Sequence, residues 1–128
     1  MSKQIIETNK VPAPIGPYSQ AVIANGFLFA SGQIAFNPAT GEIVLDTIQA
    51  ETKQVMENIK AILEEAKLSF DHIVKTTIFL SDMQSFAQVN EVYGSYFTAA
   101  FPARETVAVK TLPRNVNVEI SITAITAL

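Results

Sequence analysis

Cysteine is absent from this chain, which excludes disulfides, thiolate nucleophiles and cysteine-ligated metal sites. Histidine occurs once, at His72, so a zinc or iron centre would have to be built almost wholly from carboxylates, and no metal is expected. Long apolar runs are missing too, since no uncharged stretch approaches the roughly 20 residues that span a bilayer. The opening Met1-Ser2-Lys3-Gln4-Ile5-Ile6-Glu7 has no uninterrupted apolar core of the kind a secretory signal needs, so a cytoplasmic location is expected. Positive charge is not in surplus: 9 Lys and Arg stand against 12 Asp and Glu, for a net charge of −3. Lys3, Lys10, Lys53, Lys60, Lys67, Lys75 and Lys110 are scattered and form no basic stripe, so nucleic acid is not an expected partner.

What remains is an apolar-rich chain. Its 128 residues, 48% of them hydrophobic, suit a single domain over 1–128 with apolar surface left over for subunit contacts. Residues 1–9 can form a short edge strand. Val11-Pro12-Ala13-Pro14-Ile15-Gly16-Pro17 then reads as an extended loop, because three prolines fix φ and remove amide donors. Tyr18–Ala24 and Phe27–Gln33 flank Asn25-Gly26, a dipeptide that tolerates the positive φ angles of a type I′ hairpin turn. A two-residue turn sets the register, pairing Ala24 with Phe27, Val22 with Phe29, Gln20 with Ser31 and Tyr18 with Gln33. Tyr18, Gln20 and Ser31 then share a face, which is either a site or a polar sheet edge turned to solvent.

Asn37-Pro38-Ala39-Thr40-Gly41 is a turn cluster, and Asp46 with Gln49 forms a capping pair for a helix starting near Thr47. From Ile48 through Ala66, apolar residues at Ile48, Val55, Ile59, Ile62, Leu63 and Ala66 make one buried stripe. Glu51, Lys53, Glu57, Lys60 and Glu64 fall mainly elsewhere on the wheel. Ile73–Leu80, rich in β-branched residues, is predicted as a strand, with Ser81 or Asp82 capping a second helix. Phe86, Val89, Tyr93 and Phe97 give that helix its apolar stripe. Asn90 lies one position off the stripe, facing either a site or water. Gly94 suggests close packing inside the helix, which Pro102 ends. Residues 104–111 and 116–126 read as strands joined by Leu112-Pro113-Arg114-Asn115. In the last strand Val116, Val118, Ile120, Ile122 and Ala124 point one way, and Asn117, Glu119, Ser121 and Thr123 the other.

The result is an α+β domain with a six-stranded mixed sheet, two helices on one face, and the other face left for like subunits to cover. Chemistry concentrates on Arg104 and Glu119. An arginine fork grips carboxylates bidentately and a glutamate moves protons, so a small-carboxylate site is one reading. The other is an ordinary ion pair, contributing about 0–1 kcal/mol if exposed. A four-residue hairpin loop at 112–115 would pair Ala108 with Glu119 and Arg104 with Thr123, placing both charges on one face but well apart along it.

Ile15-Gly16-Pro17-Tyr18-Ser19-Gln20-Ala21, Ser31-Gly32-Gln33-Ile34, Val89-Asn90-Glu91-Val92-Tyr93, Phe101-Pro102-Ala103-Arg104 and Val118-Glu119-Ile120 resemble, in order and spacing, the Rid (YjgF) proteins over essentially the whole chain. Pro-Ala-Arg resembles the mark of the RidA branch, the reactive intermediate deaminases. The resemblance implies a fold similar to bacillary chorismate mutase, and a homotrimer whose sheets form a central barrel with clefts between subunits. It further implies cofactor-free hydrolysis of 2-iminopropanoate and 2-iminobutanoate to 2-oxo acids and ammonia. By resemblance, Arg104 holds the substrate carboxylate and Glu119 handles the water and protons, while Tyr18, Ser31, the Gly32 amide and Asn90 line the cleft. Other roles attached to relatives are a non-catalytic small-molecule-binding regulatory trimer, and a ribonuclease or translation inhibitor. The chain departs from the common family pattern at Ala35, Glu105, Thr106 and Ser121. Thr106 stands where many members carry cysteine.

Overall fold

The computed structural model describes residues 2–128. The chain runs β1 (Gln4–Ile6), β2 (Ala21–Ala24), β3 (Phe27–Gln33), β4 (Phe36–Asn37), β5 (Glu42–Ile43), α1 (Ile48–Glu65), β6 (Ile73–Leu80), α2 (Phe86–Gly94), β7 (Ala103–Ala108) and β8 (Val118–Ile125). Six strands form one mixed sheet in the order β1-β2-β3-β8-β6-β7, and β4 and β5 pair separately. Among the described residues, only β6 and β7 pair in parallel within the large sheet. No helix among the described residues is long and apolar enough to cross a membrane.

The β2–β3 hairpin turns where the Asn-Gly dipeptide predicts. Asn25 has φ 53° and Gly26 φ 81°, the left-handed pair that a type I′ turn requires. Ala24 faces Phe27 and Val22 faces Phe29. The ladder ends at Ala21, so the expected pairing of Tyr18 with Gln33 is not formed. Gln20 turns inward instead: its side chain accepts from the Thr8 amide at 2.8 Å and donates to the Thr8 and Pro12 carbonyls. The buried amide is thus committed three ways, and Tyr18 is left exposed at the strand's mouth.

Helix α1 begins as expected, although its cap is Thr47, whose hydroxyl accepts from the Ala50 amide at 3.0 Å, rather than Asp46. Its buried side packs on β3 and β8, and Val55, Ile59, Ile62, Leu28, Ile78 and Ile120 sit at the centre of the core. Each fully buried side chain of that size stabilises the fold by about 1.5–3 kcal/mol before entropy is counted. Glu51 departs from the predicted pattern because it lies on the buried side, with no solvent exposure.

Asp82 caps a single 3-10 turn at Met83–Ser85, and α2 follows. It ends at Gly94, well short of Pro102. Nothing lies within 4 Å of where a Gly94 Cβ would stand, so that glycine ends the helix rather than making room for a neighbour. The expected β7–β8 hairpin is not present either. A parallel β6–β7 pair, with α2 as the crossover, puts β7 at the sheet edge, and β8 inserts between β3 and β6. Strand β8 itself alternates buried and half-buried along its whole length, as its period-two sequence requires.

Both helices cover one face of the sheet. The opposite face presents Ile5, Phe29 and Val107, which are 49%, 46% and 43% exposed. It also carries an ion pair, Lys75 Nζ to Glu105 Oε1 at 3.3 Å.

Candidate functional site

Arg104 pairs with Thr76 across the parallel ladder, and Thr76 pairs with Ile122. Both partners are buried under the helices, so Arg104 belongs to the helix-covered face near the edge of the sheet. Its guanidinium lies between two aromatic rings of α2, 5.5 Å from the centroid of Phe86 and 5.2 Å from that of Tyr93. Arg104 Nη1 donates to Asn90 Oδ1 at 2.6 Å. Phe86, Asn90 and Tyr93 are spaced four and three residues apart, which puts them on one side of the helix. Tyr93 is fixed in turn by its hydroxyl, which donates to Thr76 Oγ1 at 3.0 Å. One edge of the guanidinium is thereby oriented by protein, and its other N–H groups remain for an anion. Neighbouring Thr106 contributes a buried hydroxyl without a hydrogen-bond partner.

Glu119 pairs with Phe79, at an odd position of β8, while the even positions are buried under the helices. Alternation therefore turns its carboxylate to the opposite face from Arg104. The two residues are not an ion pair, and the arrangement of both on one face is corrected by the strand order. On its own face Glu119 lies against Gly32: a Cβ built on that glycine would stand 2.8 Å from Glu119 Oε2 and 2.9 Å from its Cδ. Only glycine admits the carboxylate there. The β3–β8 register breaks between Ala30 and Gln33, at this same point, opening the sheet beside the carboxylate. Burial pushes the Glu119 carboxyl above its ordinary value.

Ser31 is adjacent. Its hydroxyl donates to the Ser19 carbonyl at 2.6 Å and keeps only acceptor capacity for anything else. Beyond Gly32 opens a cleft of about 480 Å³, lined by Tyr18, Gly32, Gln33, Ile34, Pro113 and Arg114 among others. The predicted residues thus fall into two separate groups. Tyr18, Ser31, Gly32 and Glu119 form one, and Asn90 and Arg104 the other. Sequence reasoning missed the aromatic pair around Arg104, although the four-and-three spacing of Phe86, Asn90 and Tyr93 signals it. It also missed Arg114, which lines that cleft. Among the described residues no three His, Asp or Glu side chains cluster as metal ligands.

The sequence profile of the family described as endoribonuclease L-PSP matches residues 8–126. A RutC family protein of Pyrococcus abyssi is 52% identical over 119 residues, spanning 93% of this chain and 94% of its own. Reactive Intermediate Deaminase A of Arabidopsis thaliana is 42% identical over 120 residues, 94% of this chain and 64% of the plant protein. The chain belongs to the Rid family. Among solved Rid-like folds, E. coli TdcF with bound serine aligns with a TM-score of 0.91 at 42% identity, covering 95% of this chain and 98% of TdcF. The Rid departures at Glu105 and Thr106 lie on β7, on opposite faces. Glu105 is engaged with Lys75 and with the Thr77 hydroxyl, away from Arg104.

Proposed function

We propose that the chain hydrolyses small 2-imino acids, 2-iminopropanoate and 2-iminobutanoate, to 2-oxo acids and ammonia, at a cleft formed between subunits of a homotrimer. The observation that carries this reading is the Glu119 carboxylate, half-buried against Gly32 beside an open cleft, with its proton affinity raised. A raised proton affinity suits a group that must both accept a proton and return it. An imine carbon is already electrophilic, so orientation, a placed water and a proton carrier suffice, and the reading needs no cofactor.

In this mechanism Arg104 grips the substrate carboxylate with the N–H groups left free by Asn90. Glu119 takes a proton from water as the oxygen bonds to the imine carbon, and passes that proton to the nitrogen. A second transfer, from the new hydroxyl to the nitrogen, forms C=O as the C–N bond breaks and ammonia leaves. Because the two residues occupy opposite faces of one sheet, Arg104 of one subunit would serve the Glu119 half-site of the next. The name of the Arabidopsis relative supports the chemistry, and the serine in E. coli TdcF supports a ligand with an amino-acid carboxylate. The acidic charge balance disfavours the ribonuclease alternative.

The test generates imines from several amino acids with an amino-acid oxidase and follows their capture by semicarbazide. Wild type is expected to suppress semicarbazone formation, while Arg104→Ala and Glu119→Gln are expected to lose about 100-fold or more in kcat/KM. Equal rates for wild type and Arg104→Ala would remove the clamp assignment.

A further inference from the structure

Glu51 is a fully buried carboxylate in the first turn of α1, and every hydrogen bond it makes goes to the start of β8. Its Oε2 accepts from the Asn117 amide at 2.8 Å and from the Val118 amide at 2.9 Å. Its Oε1 accepts from Asn117 Nδ2 at 2.9 Å. Asn117 is held from the other side by Ser81, whose amide donates to the Asn117 carbonyl and whose hydroxyl donates to its Oδ1, each at 3.0 Å. Two residues further on is Glu119.

The location of this clamp is what gives it meaning. Along β8 the pairing with β3 slips between Ala30 and Gln33 and stops at the Gln33–Ile120 pair, where β3 ends. At Glu119 the strand therefore keeps a ladder only on its β6 side. The loop entering β8 holds two non-glycine residues in the left-handed region, Arg114 at φ 60° and Asn115 at φ 55°. Backbone N–H groups that a strand would otherwise engage are taken by a side chain from a helix at the point where the sheet has lost one of its two rails. A carboxylate near a helix N-terminus is also favoured by the helix dipole, which helps this charge stay buried.

We infer that Glu51 is a positioning residue for Glu119: it replaces the missing β3 ladder, fixing the register of β8 so that the Glu119 carboxylate stays seated on Gly32. The inference rests on the proposed deaminase reading for its kinetic consequence. It also specifies how Glu51 acts, as an acceptor and not as a charge. Both backbone bonds converge on one oxygen, which a glutamine amide can supply. The Asn117 amide can then flip to face the new NH2, with the Ser81 hydroxyl reversing its bond. Methionine at position 51 matches the volume and offers no comparable acceptor.

The experiment compares Glu51→Gln and Glu51→Met in the imine assay, with circular dichroism and light scattering as folding controls and the Glu119 carboxyl titrated by carbon-detected NMR. Glu51→Gln is expected to keep kcat within about threefold of wild type. Glu51→Met is expected to lose about 10–100-fold in kcat with KM changed less than about threefold, because Arg104 and Asn90 are untouched. The Glu119 titration should stay raised in Glu51→Gln and fall toward the ordinary carboxylate value in Glu51→Met. Folded Glu51→Met with wild-type kcat and an unmoved titration overturns the inference, and so does Glu51→Gln as damaging as Glu51→Met. Should Glu51→Met not fold, Glu51→Asp, which withdraws the acceptors by one methylene, carries the same expectations. An inactive wild type would remove the deaminase reading alone, and the NMR titration would still decide the role of Glu51.

Discussion

A methyl group at position 32 would overlap the Glu119 carboxylate, and that contact shows how tightly one side chain of the proposed site is confined. Confinement costs stability. Burial raises the Glu119 carboxyl above its unfolded value, so the folded chain binds this proton more tightly than the unfolded chain does. The stability this group contributes is present below the unfolded carboxylate value and is lost as pH rises through the raised folded one. Glu119→Gln removes the ionising group, so the variant is expected to melt above wild type at pH 8, with the gap closing below about pH 4. Thermal scans at both pH values check this, and a variant less stable at pH 8 would contradict it. At this scale the sequence is informative about residue type and poor about placement. Arg104 and Glu119 stand out by chemistry, and Gly32 by motif. Glu51 does not stand out, because charge patterning assigns a glutamate to water unless its partners are known, and here those partners lie 66 and 67 positions away.

Among elements, the locally specified ones were legible: the Asn25-Gly26 hairpin, the α1 stripe, the β-branched run at 73–80 and the alternation of β8. Order within the sheet was not legible. A short connection at 112–115 suggests a hairpin, whereas Pro113 and two left-handed residues redirect the chain past β7, and the apolar alternation of β8 suits a central place between β3 and β6. Such pairing rests on long-range contacts that no local signal encodes. Cap identity is a finer case, since Asp46 and Thr47 both suit an N-cap and only geometry selects Thr47. Thr47→Ala is expected to cost about 1 kcal/mol, lowering Tm by roughly 3–5 °C with kcat unchanged. Asp46→Ala should move Tm by less than about 1 °C, since it leaves the cap bond in place.

For the whole molecule, the strand order has a consequence in genetics as much as in structure. Arg104 and Glu119 sit on opposite faces of one sheet, and the proposed trimer joins the arginine of one chain to the glutamate of its neighbour. Under that arrangement two inactive chains can repair one another. Co-expressed Arg104→Ala and Glu119→Gln chains assort into trimers of which about three-quarters are mixed, and each mixed trimer holds one cleft with both residues intact. About a quarter of wild-type activity should return, from a mixture of two proteins that are each inactive alone. No recovery, from chains that light scattering shows to be assembled together, would mean that each chain builds its own site. The exposed Ile5, Phe29 and Val107 are the surface on which such exchange would depend. In a cell carrying two damaged copies of the gene, the same geometry predicts a functional phenotype that neither copy confers by itself.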